Sequence, residues 1–325
     1  MKLNRSSSYV LLRLIGGDRS SAEIGSHLKD MEMRTIQRAL ERLAALGFIR
    51  RAGPVNNPSY EIRYDQLLMA DIPETTLTDE NRPETGFNFG LMNWLERTSL
   101  DTLSGVLDSL PQHIKAGKLT AKELEYLTVE LSWKSSALEG NTYTLLDTQL
   151  LFSEGLRAKG HTEFETQMIL NHKAAINFVV ENQELFQRKI TLPTLEQLHR
   201  TISKNMGFPL GIRRKLVRVS ASNYVPLGNS HSLREQAHAT LAIIGRQTNP
   251  VFKSLLALSL IPYLQLFEDG NKRTGRLLAN AILITTLGRG FSLRKVDARE
   301  LALAYLAFYE FGSLKRLARI LAAEA

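Results

Sequence analysis

The sequence predicts a mainly α-helical protein, in which a long helical body with one small β-hairpin follows a shorter head of three helices and a hairpin. Apolar residues recur at helical spacing through most of the chain. A β-branched stretch at 215–226 interrupts that pattern in the body. The length of 325 residues also exceeds one domain of the commonest size, so we expect at least two domains.

Composition restricts the class of protein. Hydrophobic residues make up 43% of the chain and charged residues 23%, which is ordinary for a soluble globular protein. A chain without cysteine has no disulfides and no thiolate metal ligands, and a reducing cytoplasm is the compartment that agrees best with this. No apolar run reaches the roughly 18 residues of a membrane span. The net charge of +8 favours polyanionic partners, although such an excess also serves solubility alone.

The head is predicted at residues 1–65. Its expected elements are helices over about 10–15, 21–28 and 33–46, and strands over 48–51 and 60–64. Ser20 or Ser21 can cap the second helix, and a Gly- and Pro-rich tip separates the strands. This order of three helices and a hairpin resembles the winged helix-turn-helix family.

The third helix of the head carries residue types that reach phosphates and purine edges. They are Arg34, Gln37, Arg38 and Arg42. We therefore expect the head to bind DNA, and a reader of a two-fold DNA site would act as a homodimer. The alternative is a winged helix that docks onto another protein or mediates dimerisation, with solvated arginines.

A polar, turn-rich segment at 66–90 is predicted as a linker, and residues 91–325 as the body. Amphipathic patterns predict helices over 91–110, 121–136, 163–182, 195–204, 233–246, 251–267 and 273–286. The β-branched stretch at 215–226, which closes on a proline, predicts the small hairpin.

A break between two of these helices is the most informative segment of the body. Gly270 can adopt dihedral angles closed to other residues and Asn271 tolerates the left-handed region, so successive N–H groups can face one concavity. The concavity opens onto the N-terminus of the next helix, where Arg273 and Arg276 add forked donors for a phosphate. Asp269 offers a carboxylate to Mg²⁺. The alternative is a capped turn between helices with two surface arginines.

The residues around this break resemble the signature of the Fic family. The matching string is Phe267-Glu268-Asp269-Gly270-Asn271-Lys272-Arg273-Thr274-Gly275-Arg276. The family signature reads His-Pro-Phe, any residue, Asp or Glu, Gly-Asn, Gly or Lys, Arg, two residues, Arg. Residues Ser135, Glu139 and Gly140 resemble the family's inhibitory motif, within a predicted inhibitory helix at about 121–141. The stretch 215–226 resembles its target-docking flap, supported by Val217, Val219 and Tyr224.

The resemblance implies a nucleotide site for ATP and Mg²⁺. The matching binding residues are Asp269, Gly270, Asn271, Lys272, Arg273 and Arg276, with Asp269 at the metal. In the family, the arginine that matches Arg276 clamps the γ-phosphate, and the glutamate that matches Glu139 pairs with it and obstructs that phosphate. The group transferred is usually AMP, and the acceptor is a hydroxyl of a target protein.

The sequence departs from the signature at the catalytic base. The family's histidine aligns with Gln265 and its proline with Leu266. A carboxamide cannot take a proton near neutral pH, and loss of a general base costs about 10²–10⁴ in rate. His231, just after the flap, is a candidate substitute, although a lone surface histidine is more often without a role.

Two hypotheses for the function follow. The first is a nucleotide-linked transcription regulator or a degenerate protein adenylyltransferase. The second is an active AMP transferase that Glu139 autoinhibits.

Overall fold

The computed structural model describes residues 3–98, 116–187 and 189–324. The chain is mainly α-helical, which confirms the predicted fold class. In chain order the first elements are α1 (Arg5–Ile15), α2 (Ser21–His27), α3 (Met33–Ala45), β1 (Ile49–Ala52), β2 (Ser59–Ile62), α4 (Tyr64–Leu67), α5 (Glu74–Leu77), β3 (Thr85–Gly86) and α6 (Phe89–Arg97). They are followed by α7 (Ala121–Ala137), α8 (Leu145–Ser153), α9 (Glu163–Glu181), α10 (Glu184–Gln187), α11 (Leu192–Ile202), β4 (Tyr224–Val225), α12 (Ser230–Arg246), α13 (Pro250–Leu264), α14 (Asn271–Leu287), α15 (Ala298–Phe311) and α16 (Lys315–Glu324).

The chain divides into two compact units. The first contains the described residues of Met1–Val106 together with Arg218–Leu227 and Arg299–Arg316. The second contains the described residues of Leu107–Val217, Gly228–Ala298 and Leu317–Ala325. Sequence order alone therefore does not separate the units, since each collects segments from distant parts of the chain.

The first unit begins with the three helices and the antiparallel hairpin that the sequence predicts. Ser20 caps α2 in a reciprocal arrangement with Glu23, because each side chain bonds the backbone N–H of the other residue. The strands β1 and β2 pair antiparallel, from Ile49 opposite Ile62 to Ala52 opposite Ser59. The elements are as expected, while their assignment to the winged-helix family stays a prediction.

The core of the first unit includes a helix that the sequence analysis did not assign to it. Buried apolar residues of α1 and α3, such as Leu11 and Leu40, pack in one cluster with Leu303 and Phe311 of α15. The segment 66–90, predicted as a linker, also packs into this unit. It contains α5 and β3, and apolar side chains such as Ile72 are buried in the same core.

Among the predicted elements, the flap at 215–226 agrees least with the structure. Within 215–226 only Tyr224–Val225 is a strand, and it pairs in parallel with Thr85–Gly86 instead of folding back as a hairpin. An ion pair anchors this end of the segment. Arg82 and Glu310 are both buried, and Glu310 also accepts hydrogen bonds from the Ser222 hydroxyl and the Asn223 N–H. The partners are distant in sequence, so local residue patterns could not predict this pairing.

The second unit is built around α13 and α14, whose residues are almost all buried. The helices α7, α9, α11 and α12 surround them, close to their predicted bounds. The predicted helix over 251–267 ends early, at Leu264. The predicted helix over 91–110 ends at Arg97 in the described part, and its remainder from residue 99 lies outside the described residues. No described helix has both the length and the apolar character needed to cross a membrane.

Candidate functional site

The loop between α13 and α14 has the unusual backbone that its sequence predicts. Gln265 ends α13 in the left-handed conformation, with φ of 48°. Gly270 precedes α14 with φ of 79°, where a side chain is strained, and a Cβ there would lie 2.9 Å from the Ser203 hydroxyl. Among the described residues no side chain caps the N-terminus of the 17-residue α14. Its first N–H groups therefore face the loop, as an anion-binding turn requires.

Asn271 braces the loop from inside. Its Oδ1 accepts a hydrogen bond from the Phe267 N–H at 3.0 Å, and its Nδ2 donates to the Phe267 carbonyl at 2.8 Å. The same Nδ2 lies 3.3 Å from Oε1 of Gln265. The Asn271 amide, predicted to bind nucleotide, therefore shapes the backbone on which a nucleotide would rest.

Arg273 is a buried cation with incomplete pairing. It is 2% exposed, and its Nη2 donates to Oδ2 of Asp269 at 2.9 Å. Its Nη1 is buried and has no hydrogen-bond partner among the described residues. Burial lowers the pKa of Arg273, partly offset by the nearby carboxylates of Asp269 and Glu139. A buried unsatisfied donor costs about 1–3 kcal/mol, so a phosphate oxygen at Nη1 would satisfy a donor that the protein leaves open.

Asp269 is the residue best placed to meet a metal ion. Its side chain is 57% exposed, although one oxygen already accepts from Arg273. Lys272 beside it is half-buried. The described residues contain no cluster of three or more metal-ligating side chains. A Mg²⁺ ion here would therefore take most of its ligands from phosphate oxygens and water, as this ion commonly does.

Arg276, on the second turn of α14, contacts the predicted inhibitory motif. The guanidinium is 1% exposed, and its Nε and Nη2 donate to the hydroxyl and the carbonyl of Ser135, both at 2.9 Å. Oε1 of Glu139 lies 2.7 Å from the same Nη2. Gly140, with φ of 90°, follows Glu139 in the turn that ends α7. The structure therefore brings Ser135 and Glu139 to Arg276, which follows them by more than 130 positions in the sequence.

Two residues that the sequence analysis did not assign to the site hold the loop from outside. The Nε2 of His199 donates to the Asp269 carbonyl at 2.9 Å, and its ring stacks on Phe267 with centroids 3.6 Å apart. Arg213 donates from Nε to the Gln265 carbonyl at 2.6 Å and from its backbone N–H to the Leu266 carbonyl at 3.0 Å. Both act on main-chain carbonyls, which sequence patterns do not reveal.

The side chain of Gln265 bonds the backbone next to the loop. Its Nε2 donates to the Pro262 carbonyl at 2.7 Å, and its side chain is buried. His231, the candidate substitute for the base, is exposed and lines a groove of about 740 Å³. That groove also contains Glu268 of the loop and three arginines and a lysine, Arg213, Arg214, Arg234 and Lys215. A histidine therefore lies in the same groove as the loop, but no hydrogen bond in the described residues links it to Gln265.

The remaining predicted site residues lie elsewhere. In the head, Arg34, Gln37 and Arg38 are exposed on α3 and Arg42 is half-buried. In the predicted flap, Val217 is half-buried, whereas Val219 and Tyr224 are buried. Tyr224 belongs to β4 of the first unit, so its side chain supports that unit's packing.

Comparison with protein families matches residues 189–283 to the Fic/DOC family. The matched range contains the loop, Arg273 and Arg276, together with His199 and Arg213. Residues 189–283 form a Fic domain. The predicted inhibitory motif at Ser135 and Glu139 precedes this domain in the chain.

Several relatives of the Fic domain are named protein adenylyltransferases. The protein adenylyltransferase Fic of Nematostella vectensis is 29% identical over 198 residues, which cover 58% of this chain and 45% of that protein. The protein of the same name from Drosophila mojavensis is 26% identical over 225 residues, covering 68% of this chain and 44% of that protein. The chain thus spans less than half the length of these two relatives.

A solved structure supports the fold. Residues 134–508 of Fic-1 from C. elegans superpose with a TM-score of 0.55 at 17% identity, covering 98% of this chain and 78% of that one. At this identity the likeness concerns the fold alone.

The buried histidine of the Fic domain predicts a pH-dependent stability. Burial, with a smaller contribution from the Arg273 charge, lowers the pKa of His199 to about 4 from 6.5, so the unfolded chain binds a proton first as the pH falls. The folded state therefore keeps the full stability that comes with a neutral His199 above pH 6.5, and it loses this stability as the pH drops towards 4. Between pH 7 and 5 the free energy of unfolding should fall by about 2 kcal/mol more in the wild type than in His199→Gln, measured by urea denaturation. Equal losses in the two proteins would contradict this assignment.

Proposed function

We propose that this chain binds ATP with Mg²⁺ on the loop formed by Asp269, Gly270, Asn271, Lys272, Arg273 and Arg276. The open Nη1 of Arg273 and the uncapped N-terminus of α14 support this proposal, because both suit a phosphate. The exposed carboxylate of Asp269 suits the metal ion. When bound, Mg²⁺ would neutralise phosphate charge, and this chain's residues would orient the nucleotide against the loop.

We further propose that Glu139 restrains the site. The observation that carries this is the 2.7 Å contact between Glu139 and the buried Arg276. A γ-phosphate that pairs with this guanidinium needs the same Nη2 donor, so the carboxylate and the phosphate exclude each other by charge and by volume. Glu139 retains 22% side-chain exposure, so it can leave the contact without unfolding the core around it.

Gln265 favours weak or absent transfer. At the place of a general base it offers a carboxamide, whose Nε2 is already bonded to the Pro262 carbonyl. Nucleotide binding does not need that base, whereas transfer to a hydroxyl does. The chain therefore acts as a nucleotide-linked regulator or a degenerate adenylyltransferase. The second candidate is an active AMP transferase for protein hydroxyls, which the names of its relatives favour.

Glu139→Gly tests the restraint. Removing the carboxylate frees Arg276 for the γ-phosphate, so ATP should bind about tenfold more tightly or better, a gain of about 1.4 kcal/mol. Isothermal titration with ATP and Mg²⁺ measures this. Glu154→Gly is the matched control, since Glu154 is exposed at the C-terminal end of α8, and it should leave the affinity unchanged. Equal affinities in Glu139→Gly and wild type would refute the restraint.

Gln265→His tests the missing base. In the Glu139→Gly background, the added histidine should raise transfer of labelled AMP to protein by at least about 100-fold over Glu139→Gly alone. Labelled ATP, followed by electrophoresis of the protein, measures this. Efficient labelling by Glu139→Gly with Gln265 intact would instead support the active transferase, with another group such as His231 as the base.

The head has its own proposed partner. Arg34, Gln37 and Arg38 extend from α3 on the face opposite the buried Ile36 and Leu40, which suits contacts to a DNA backbone. Such binding would let nucleotide occupancy regulate transcription, and a homodimer would suit a two-fold DNA site.

The double variant Arg34→Ala/Arg38→Ala should weaken binding to a mixed-sequence DNA duplex. Each lost phosphate contact lowers the slope of log affinity against log salt by about one. Fluorescence anisotropy over a salt series measures this. The control is Arg200→Ala/Arg234→Ala, which removes two exposed arginines outside the head. A protein-docking head is indicated if both double variants bind DNA alike.

A further inference from the structure

A directed chain of hydrogen bonds ends at Arg276. The Nδ1 of His172 lies 3.0 Å from the Met168 carbonyl, and its Nε2 lies 2.9 Å from the Ser135 hydroxyl. The Ser135 oxygen in turn lies 2.9 Å from Nε of Arg276. His172, Ser135 and Arg276 are each 1% exposed, so no water competes for these bonds.

The chemistry of the two ends fixes the direction of this chain. A carbonyl oxygen only accepts, so Nδ1 of His172 carries the proton and donates to Met168. The Nε2 of the neutral ring then holds a lone pair and accepts the Ser135 O–H. The Ser135 oxygen is left with its lone pairs towards Arg276, whose Nε–H only donates. Donation therefore runs in one direction, from Arg276 to Ser135, from Ser135 to His172 and from His172 to the Met168 carbonyl.

The surroundings keep His172 in this neutral form. Burial lowers its pKa to about 3, and the positive charges of Arg273 and Arg276 act in the same direction against the hydrogen bond to Met168. Ser136 places a second hydroxyl 3.3 Å from Nδ1, on the side that carries the proton. Within the described residues, no carboxylate forms an ion pair with this histidine that would favour its charged form.

We propose that His172 is a positioning residue for Arg276. It acts through the Ser135 hydroxyl to fix the guanidinium, and the protein thereby distinguishes a nucleoside triphosphate from a diphosphate. This inference rests on the proposed function. The guanidinium is planar, and Ser135 holds its Nε–Nη2 edge through the hydroxyl and the carbonyl, so the direction of the second N–H of Nη2 is also fixed. Glu139 contacts Nη2 in the restrained state. A γ-phosphate would meet it there once Glu139 leaves, while Ser135 and His172 stay in place.

The test uses the full chain with Glu139→Gly, so that the restraint does not mask the effect. Isothermal titration with Mg²⁺ gives the dissociation constants of ATP and of ADP, and their ratio reports the contact to the γ-phosphate. In Glu139→Gly, ATP should bind at least about tenfold more tightly than ADP, since charge-assisted bonds are strong. Adding His172→Leu should reduce this preference about tenfold and leave the ADP affinity within about twofold. A merely structural role would weaken both nucleotides together.

Two further variants keep the test decisive if His172→Leu folds poorly. Ser135→Ala removes the middle of the hydrogen-bond chain, so this variant should lose the preference for ATP over ADP. His172→Gln should restore part of it, because glutamine offers both an acceptor for Ser135 and a donor for Met168. The matched control is Ser132→Ala, a buried serine one turn earlier on α7 whose hydroxyl has no hydrogen-bond partner among the described residues. It should keep the preference for ATP.

The outcomes separate this inference from the proposed function. If Glu139→Gly binds neither nucleotide, or binds both equally, the proposed phosphate site fails and the inference falls with it. If Glu139→Gly prefers ATP and the preference persists in both His172→Leu and Ser135→Ala, the inference alone is overturned. Loss of the preference in Ser132→Ala as well would also overturn it, because any change in α7 would then suffice.

Discussion

A buried guanidinium needs an anion, and the Fic domain of this chain depends on which anion Arg276 has. Charge removed from water is costly unless it is paired and hydrogen-bonded. Here the C-terminal end of α7 and the turn after it supply the partners, with the Ser135 hydroxyl and carbonyl and the Glu139 carboxylate all within 2.9 Å. The same requirement makes a phosphate group a natural competitor. In the proposed function, restraint by Glu139 and binding of a phosphate would be two ways to satisfy one buried charge.

The surroundings of the loop are arranged to hold its backbone still. His199, Arg213 and Asn271 all bond main-chain atoms of residues 265–269. The polar groups of these three side chains therefore bond the backbone of the loop. Among the described residues, the buried Nη1 of Arg273, the first N–H groups of α14 and the hydroxyls of Ser203 and Thr274 are donors at or beside the loop that have no partner. Such fixed donors cost little reorganisation when a phosphate arrives.

Much of this arrangement could be predicted from the sequence, because it is encoded locally. Apolar spacing gave the bounds of α7, α9, α12 and α14 to within a few residues. The left-handed preference of Gly270 predicted the break before α14, and the resemblance to the Fic family predicted the pairing of Glu139 with Arg276.

What the sequence could not provide depends on distant partners. The stretch 215–226 has the residues of a hairpin, yet Tyr224–Val225 pairs with Thr85–Gly86 and Glu310 anchors it through Arg82. The core of the head is completed by α15, more than 250 residues away in the chain. His172 and His199 look like ordinary apolar-face histidines in sequence, because their bonds go to a hydroxyl or a carbonyl on another element. Only the packed chain reveals these roles.

The most direct test of the account is a crystal structure of Glu139→Gly with Mg²⁺ and a non-hydrolysable ATP analogue. The account predicts the terminal phosphate against Arg276, where the Glu139 carboxylate lies in the restrained chain. A second phosphate should approach Nη1 of Arg273 and the N-terminus of α14, while Ser135 remains bonded to Arg276. A nucleotide bound elsewhere, or with its phosphates away from both arginines, would show that Glu139 and phosphate do not compete for one buried charge.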